Sequence, residues 1–185
     1  ASRRQFLRNS VAAAAAVSTL NLSSSFSPWA FAANEGPRFK ISLAEWSLHK
    51  TLFANKISNL DFPKVAKVDF GLVGVLYVNQ FFKEKAKDAR YLADLKMRSE
   101  DLGVTNVLIM IDGEGKLGDP DSAKRKQAIE NHYKWVDAAK FLGCHSIRVN
   151  AYAEGSFEEQ TKLAADGLRG VCEYANPHNI GVNVE

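Results

Sequence analysis

Short apolar runs alternate with longer amphipathic stretches along the chain from residue 39 onward. The apolar runs cover residues 39–46, 72–78, 106–112, 146–151 and 181–185. Apolar residues recur at helical spacing over residues 61–68, 83–102, 121–142 and 156–174. Continuous apolar strands that alternate with helices are typical of a parallel sheet covered by helices. The pattern therefore predicts an α/β fold with five parallel strands.

The glycines that precede the later strands recur at a nearly constant spacing. Gly71, Gly103, Gly143 and Gly181 lie 32, 40 and 38 residues apart, which is the period of a β/α unit. Two architectures fit this repeat, an open doubly wound sheet and a (β/α)8 barrel. A barrel usually needs about 250 residues, whereas this chain has 185. A barrel would be incomplete here, with about five β/α units of the eight, so that the chain would be the front part of something longer.

The first residues have the composition of an export signal. The pair Arg3-Arg4 is followed by an apolar run over residues 11–17 and by the small-x-small pattern Ala30-Phe31-Ala32. Paired arginines before an apolar run resemble twin-arginine signals. A membrane anchor is the alternative, but the run is shorter than the ~20 residues that span a bilayer. We predict a twin-arginine-type export signal over residues 1–32, a linker over 33–38 and an exported, periplasmic domain over 39–185.

The excess of positive charge is concentrated in that first segment. The chain has 24 basic and 21 acidic residues, but Arg3, Arg4 and Arg8 are the only charged residues before Glu35. Without these arginines the chain is neutral, with 21 basic and 21 acidic residues. Nucleic-acid binding needs a basic surface that displaces counterions from phosphates. We therefore expect no nucleic-acid partner, and no membrane contact beyond the export signal.

Neither the cysteines nor the glycine-rich segment indicates a cofactor site. Cys144 and Cys172 have neither metal-ligand nor redox spacing, and we interpret them as buried thiols. A disulfide between them is the alternative in an oxidising compartment. Residues 113–118 match the pattern G-x-G-x-x-G, but they follow the third strand, and the acidic residues Glu114 and Asp119 would repel a pyrophosphate. We interpret this segment as a flexible loop at the mouth of a site.

Polar residues occur at the carboxyl ends of three successive strands. Because side chains alternate along a strand, the side chains of Asp112, Arg148, Asn150 and Glu185 should all face away from the covering helices, whereas Val107 should face them. Parallel strands end at one edge of a sheet, where such folds keep their active sites, so these polar groups should converge. They could bind a substrate. Alternatively, the acids and the arginine could form a structural ion network.

Two further candidate substrate-binding residues follow the first strand at the same edge. The ring of Trp46 could stack on the apolar face of a sugar, with a core tryptophan as the equal alternative. His49 could contact a substrate, although an ordinary loop histidine is the commoner case. We interpret His132, His145 and His178 as structural, because they lie in a helix or near strand starts.

Four segments together resemble the sugar phosphate isomerase/epimerase family with the xylose isomerase-like barrel. They are residues 41–48, 107–115, 131–150 and 181–185. The resemblance covers essentially all of the chain after residue 38. It implies an incomplete xylose isomerase-like TIM barrel and a small-molecule sugar or sugar derivative as the partner. It also allows a homo-oligomer in the complete protein, and it does not indicate which sugar is bound.

The resemblance also implies roles for individual residues. In that family, the glutamate at the end of the fifth strand is a ligand of a divalent metal (Mn, Mg, Co or Zn) and acts as an acid and base. Glu185 matches this glutamate, and the other ligands would lie beyond it on later strands. Arg148 and Asn150 match the tip of the fourth strand, where substrate contact is expected. Leu76 stands where many relatives have a glutamate, so any role of that acid is missing.

The implied function is a metal-dependent sugar (phosphate) isomerase or epimerase that moves a proton through an enediolate. One carboxylate cannot hold such a metal, and two unpaired edge strands favour aggregation. We therefore expect the 185-residue chain alone to be inactive and poorly soluble. The alternative is a non-catalytic, exported sugar-binding or interaction module. An abasic-site endonuclease on the same barrel is disfavoured, because Asn79 and Asp112 stand where its histidine ligands would be.

Overall fold

A five-stranded parallel sheet organises the computed structural model, which describes residues 39–185. The strands are β1 (Leu43–Ala44), β2 (Gly74–Val78), β3 (Thr105–Met110), β4 (Ser146–Val149) and β5 (Gly181–Val184). They lie side by side in chain order, and each neighbouring pair is parallel. The predicted parallel α/β architecture is confirmed. The sheet is not closed, and β1 and β5 form its two edges, as expected for an incomplete barrel.

Helices connect the strands and pack against the sheet. They are α1 (His49–Phe53), α2 (Phe62–Val68), α3 (Ala89–Asp101), α4 (Ser122–Leu142) and α5 (Phe157–Ala175). Short 3-10 segments cover Glu45–Leu48, Asn59–Asp61, Asn79–Lys85 and Asn176–His178. Within residues 39–185, none of the helices combines the length and the apolar composition that crossing a membrane requires. The predicted export signal (1–32) and linker (33–38) lie outside the described residues.

Local capping chemistry explains where the longer helices begin. The carboxylate of Asp121 accepts the backbone N–H groups of Ala123 and Lys124 at the start of α4. A capping box begins α5, since Ser156 and Glu159 bind each other's backbone N–H groups. At the start of α2, in contrast, Asp61 makes no side-chain cap hydrogen bond.

Two elements differ from the prediction for reasons of tertiary contact. The first predicted strand shrinks to two residues, because the chain turns into a 3-10 segment at Glu45, whose carboxylate binds the end of β2. The predicted helix over residues 83–102 begins only at Ala89, since a 3-10 segment with a break at Phe82 (φ −145°, ψ 35°) precedes it.

The core lies between the sheet and its helices. Its largest fully buried side chains include Trp135 of α4, Tyr77 of β2 and Phe62 of α2. The buried thiol of Cys144 belongs to this core, and its pKa is raised to about 12 by burial. Cys172, in contrast, is exposed, so the interpretation of both cysteines as buried is wrong for this residue.

One extra residue in β3 makes the side chain of Val107 point in a different direction from the one predicted. The pairing of β2 with β3 moves from Val75–Asn106 to Leu76–Leu108, which leaves Val107 as a bulge. The amide of Asn106 points to the helices, where it donates to Ser99 Oγ and to the carbonyl of Leu142, both at 2.9 Å. The side chain of Val107 lies next to Gly74 instead, so the prediction that Val107 faces the helices is wrong.

Candidate functional site

The carboxyl ends of β3, β4 and β5 bring four of the six candidate residues together. Arg148 Nη1 donates to Asp112 Oδ1 at 3.0 Å, and Asn150 Nδ2 donates to the same oxygen at 2.6 Å. The guanidinium also lies beside Glu185, with 2.9 Å between Arg148 Nε and Glu185 Oε2. We call these four residues the polar cluster. It contains two acids, one permanent cation and one amide at the edge where the strands end.

The two ion pairs of Arg148 are not equivalent. The pair with Asp112 includes an aligned hydrogen bond, and both side chains are largely buried. The pair with Glu185 has a short distance but no aligned hydrogen bond, so that the buried Nε–H of Arg148 has no acceptor. The Glu185 side chain remains 68% exposed. Asp112 therefore holds the guanidinium by a hydrogen bond, which Glu185 does not.

A residue outside the candidate set, Asn79, holds the backbone of Asp112. Its Nδ2 donates to the carbonyl of Asp112 at 2.9 Å, and its Oδ1 accepts the N–H of Asp112 at 3.0 Å. Asn79 is fully buried directly after β2. The sequence shows that an asparagine follows this strand, but it contains no local sign of a partner that is 33 residues away.

The remaining two candidates, Trp46 and His49, form a separate aromatic group. Their rings stack with 4.8 Å between centroids, and His49 Nδ1 lies 2.7 Å from the carbonyl of Trp46. Phe53 meets the edge of Trp46 at 6.3 Å and packs against Phe81 at 5.0 Å. Trp46 is 45% exposed, so it is not a core tryptophan. We call these four residues the aromatic platform, and it can offer an apolar surface to a sugar ring.

A buried glutamate holds the end of β1 against the end of β2. Glu45 Oε1 accepts from Asn59 Nδ2, and Glu45 Oε2 accepts from the backbone N–H of Val78, both at 2.6 Å. Tyr91 in turn donates to Asn59 Oδ1 at 2.7 Å. Burial raises the pKa of Glu45 to about 8, although its two hydrogen bonds favour the ionised form. Because Glu45 directly precedes Trp46, this contact also determines where the aromatic platform begins.

The glycine-rich segment after β3 is tied down rather than flexible, so that expectation is wrong. The buried carboxylate of Glu114 accepts from Lys134 Nζ at 3.0 Å and from Trp135 Nε1 at 2.9 Å. Gly118 donates its N–H to the carbonyl of Tyr152 and bridges to the loop after β4. Lys116 pairs with Glu154 across the same two loops. These contacts make one side of the site a fixed wall.

The histidines outside the site agree with a structural interpretation where their contacts are known. His132 is buried in α4, and its Nδ1 lies 2.7 Å from the carbonyl of Ala128. Burial lowers its pKa. His178 lies 4.0 Å from Asp137, on the helical side of the protein.

The described residues do not by themselves fit a divalent metal. Such metals take about six ligands in most proteins, but within residues 39–185 no group of three or more His, Cys, Asp or Glu side chains is placed to hold one. Glu185 is the acid expected to bind the metal, and it lies next to the positive guanidinium of Arg148. That cation would compete with a metal for the same carboxylate oxygen.

Comparison with a family model gives a match over residues 62–185, described as "Xylose isomerase-like TIM barrel". This range includes the polar cluster, the fixed loop after β3 and four of the five strands. No curated protein sequence matches the chain significantly.

Several solved structures have the same fold. A 3-keto-D-glucoside 4-epimerase from E. coli is 16% identical, with 69% of this chain and 50% of that chain covered and a TM-score of 0.56. A D-psicose 3-epimerase from Clostridium cellulolyticum H10 is 14% identical, with 78% and 51% covered and a TM-score of 0.56. The IOLI protein with a bound zinc atom is 15% identical, with 79% and 51% covered and a TM-score of 0.62. The chain thus spans about half the length of these proteins.

Proposed function

The chain belongs to the xylose isomerase-like TIM barrel family, and from that premise we propose that the whole protein is a sugar isomerase or epimerase. The polar cluster carries this proposal. It places two carboxylates, a guanidinium and an amide together at the carboxyl edge of the sheet, where barrel enzymes have their active sites. The similarity in fold to sugar epimerases supports the same proposal.

Each residue of the site has a role in this proposal. Glu185 takes a proton from the carbon next to a sugar carbonyl, whose oxygen receives the electron pair. In an isomerisation, Glu185 returns this proton to the former carbonyl carbon, and the proton of the neighbouring hydroxyl moves to the former carbonyl oxygen. In an epimerisation, a second acid from outside the described residues protonates the original carbon from its opposite face. Arg148 stabilises the oxygen that becomes negative. Asp112 and Asn150 orient the guanidinium and bind sugar hydroxyls. Trp46, supported by His49, packs against the apolar face of the ring.

The proposal includes a divalent metal, but most of its ligands would have to come from outside residues 39–185. Glu185 would be one ligand, and the others would have to come from outside the described residues. When it is bound, such a metal stabilises the negative oxygens of an enediolate. The zinc atom in the IOLI protein supports a metal in the family. We further propose that residues 39–185 alone are inactive and aggregate through the open edges of β1 and β5.

Residues 1–32 form a twin-arginine export signal in this proposal, so that the protein acts in the periplasm. The Arg3-Arg4 pair and the alanine-rich segment that follows support this location. A reporter fused after residue 38 tests it. Export that stops when Arg3 and Arg4 are both changed to Lys supports the location, and unchanged export contradicts it.

A non-catalytic sugar-binding module is the second candidate. The exposed aromatic platform favours it, because stacking on an exposed tryptophan binds a sugar ring without any proton transfer.

The experiment that separates the two candidates follows hydrogen exchange in D2O. The whole protein is incubated with D-fructose, D-tagatose or D-xylose, and deuterium at the carbon next to the carbonyl is followed by NMR. Incorporation that falls at least about 100-fold in Glu185→Gln supports the isomerase. Glu158→Gln is the matched control, because Glu158 is an exposed acid on α5. Sugar binding without exchange, lost in Trp46→Ala, would support the binding module instead.

A further inference from the structure

The side chain of Asn79 continues the pairing of β2 with β3 past the end of both strands. Regular pairing of these strands ends at Val78 and Met110. One residue later, the amide of Asn79 makes two hydrogen bonds, one to the N–H and one to the carbonyl of Asp112. The amide therefore takes the place of a backbone group, and the buried Asn79 fixes the position of the partly buried Asp112.

Asp112 in turn positions the other groups of the polar cluster. A single oxygen, Asp112 Oδ1, accepts from both Arg148 and Asn150. Arg148 has no aligned hydrogen bond to Glu185, so the Asp112 contact decides where the guanidinium lies. The distance of 2.9 Å between Arg148 Nε and Glu185 Oε2 then depends on Asp112.

We propose that Asn79 is a positioning residue of the active site, which acts through Asp112 on the guanidinium of Arg148 and so on the Glu185 carboxylate. The functional part of this proposal rests on the proposed isomerase or epimerase activity. Asn79 itself is buried and does not touch the substrate. Loss of its two hydrogen bonds frees the Asp112 backbone, which lets the guanidinium move away from Glu185. A merely structural asparagine would change the stability of the fold without moving Arg148.

Asn106 is a matched control for this test. It is a second buried asparagine, and its side chain also makes several hydrogen bonds, but it lies at the amino end of β3, away from the polar cluster. Asn106→Ala and Asn79→Ala should therefore lower the stability of the fold by a similar amount. Only Asn79→Ala should change the surroundings of Arg148. Asn79→Ser is a milder second variant in case the alanine variant does not fold.

The readout is the exchange of the Arg148 Nε–H with water, followed by 15N NMR on the whole protein. This N–H is inaccessible to solvent in the structure, so its exchange should be slow. We expect Asn79→Ala and Asn79→Ser to speed up this exchange about tenfold or more, the effect of one lost buried hydrogen bond. Asn106→Ala should leave it within about twofold. Equal exchange in the Asn79 and Asn106 variants would overturn the proposal.

Steady-state kinetics then separate this proposal from the proposed function. If the whole protein turns over a sugar, Asn79→Ser should lower kcat/KM about tenfold, because the acid–base group and the sugar-binding Asp112 are both displaced. Fast Nε–H exchange with an unchanged kcat/KM would refute the functional role of Asn79. Fast exchange in a protein that catalyses no hydrogen exchange in any sugar would instead refute the isomerase assignment and leave the positioning contact intact.

Discussion

Glu45 Oε2 accepts the backbone N–H of Val78 at 2.6 Å, and this contact joins the ends of the first two strands. The other carboxylate oxygen accepts from Asn59, so both partners of Glu45 are donors. Such an arrangement suits an ionised carboxylate, yet burial raises the pKa of Glu45 from 4.5 to about 8. The contact should therefore respond to pH in the neutral range.

Replacement of Glu45 by Gln should remove a pH dependence of folding. Because the pKa is higher in the folded protein than in the unfolded chain, the contribution of Glu45 to stability is fully present below about pH 4.5 and is lost as pH rises through about 8. The loss should be on the order of 5 kcal/mol between these limits. Guanidinium chloride unfolding at pH 5, 7 and 9 measures it. Glu45→Gln, which keeps an acceptor for Val78, should show a clearly smaller decrease.

The free energies of unfolding of the wild type and of Glu45→Gln are compared at each pH, because the contribution of the histidines is common to both proteins. A wild-type free energy of unfolding that falls between pH 5 and 9 no more steeply than that of Glu45→Gln would show that Glu45 does not titrate in this range.

The largely buried ion pair of Asp112 and Arg148 should contribute more to stability than an exposed pair. Asp112→Ala leaves the guanidinium largely buried without its acceptor. We expect the free energy of unfolding to fall by about 2 kcal/mol. Glu158→Ala removes a pair with Lys162 in which both side chains are mostly exposed, and should cost less than about 0.5 kcal/mol. Chemical denaturation at pH 7 measures both, and equal losses would contradict the expectation.

Gly167 is required by the close approach of α5 to the loop after β3. A Cβ atom at this position would lie 1.8 Å from the carbonyl oxygen of Leu117. Gly167→Ala should therefore lower the free energy of unfolding by about 3 kcal/mol or more, despite the better helix propensity of alanine.

Gly170 on the same helix is the control for this substitution. An added Cβ there would meet only the side chain of Ile129, which can move. Gly170→Ala should change the stability by less than about 1 kcal/mol, since the gain in helix propensity offsets the closer contact. Thermal unfolding of both variants decides the matter, and a melting temperature of Gly167→Ala near that of the wild type would show that the loop can shift.

The two cysteines should differ strongly in reactivity. Cys172 is exposed on α5, whereas Cys144 is buried and its pKa is raised to about 12. A thiol reagent such as Ellman's reagent should therefore label one cysteine rapidly in the folded protein and both after denaturation. Cys172→Ser should remove the rapid phase. A rapid phase that survives this substitution would mean that Cys144 is accessible.

Several features of the fold could be predicted because their causes are local. Gly143 ends α4 in a left-handed conformation, with φ of 78°, and the Ser156–Glu159 capping box begins α5. The residues that make these contacts are at most a few positions apart. The meeting of Asp112, Arg148 and Glu185 was also predictable in outline, since parallel strands end at one edge of the sheet.

Other features could not be predicted, because their partners are distant in sequence. Glu45 binds residues 14 and 33 positions away, and nothing near it distinguishes a buried acid from an exposed one. The segment after β3 contains three glycines and was expected to be flexible. It is held by Trp135 and by the loop after β4, which come near only when the sheet has formed.

The sequence by itself determined the parallel sheet, the order of its elements and the edge where its polar side chains lie, because hydrophobic period, caps and glycines act within a few residues. Only the tertiary structure decided which polar groups bind each other there. Asn79 holds Asp112, and Asp112 holds Arg148, through hydrogen bonds between strands that are more than 30 residues apart in sequence. Such contacts depend on register and burial, which a bulge in β3 and the packing of whole helices establish together.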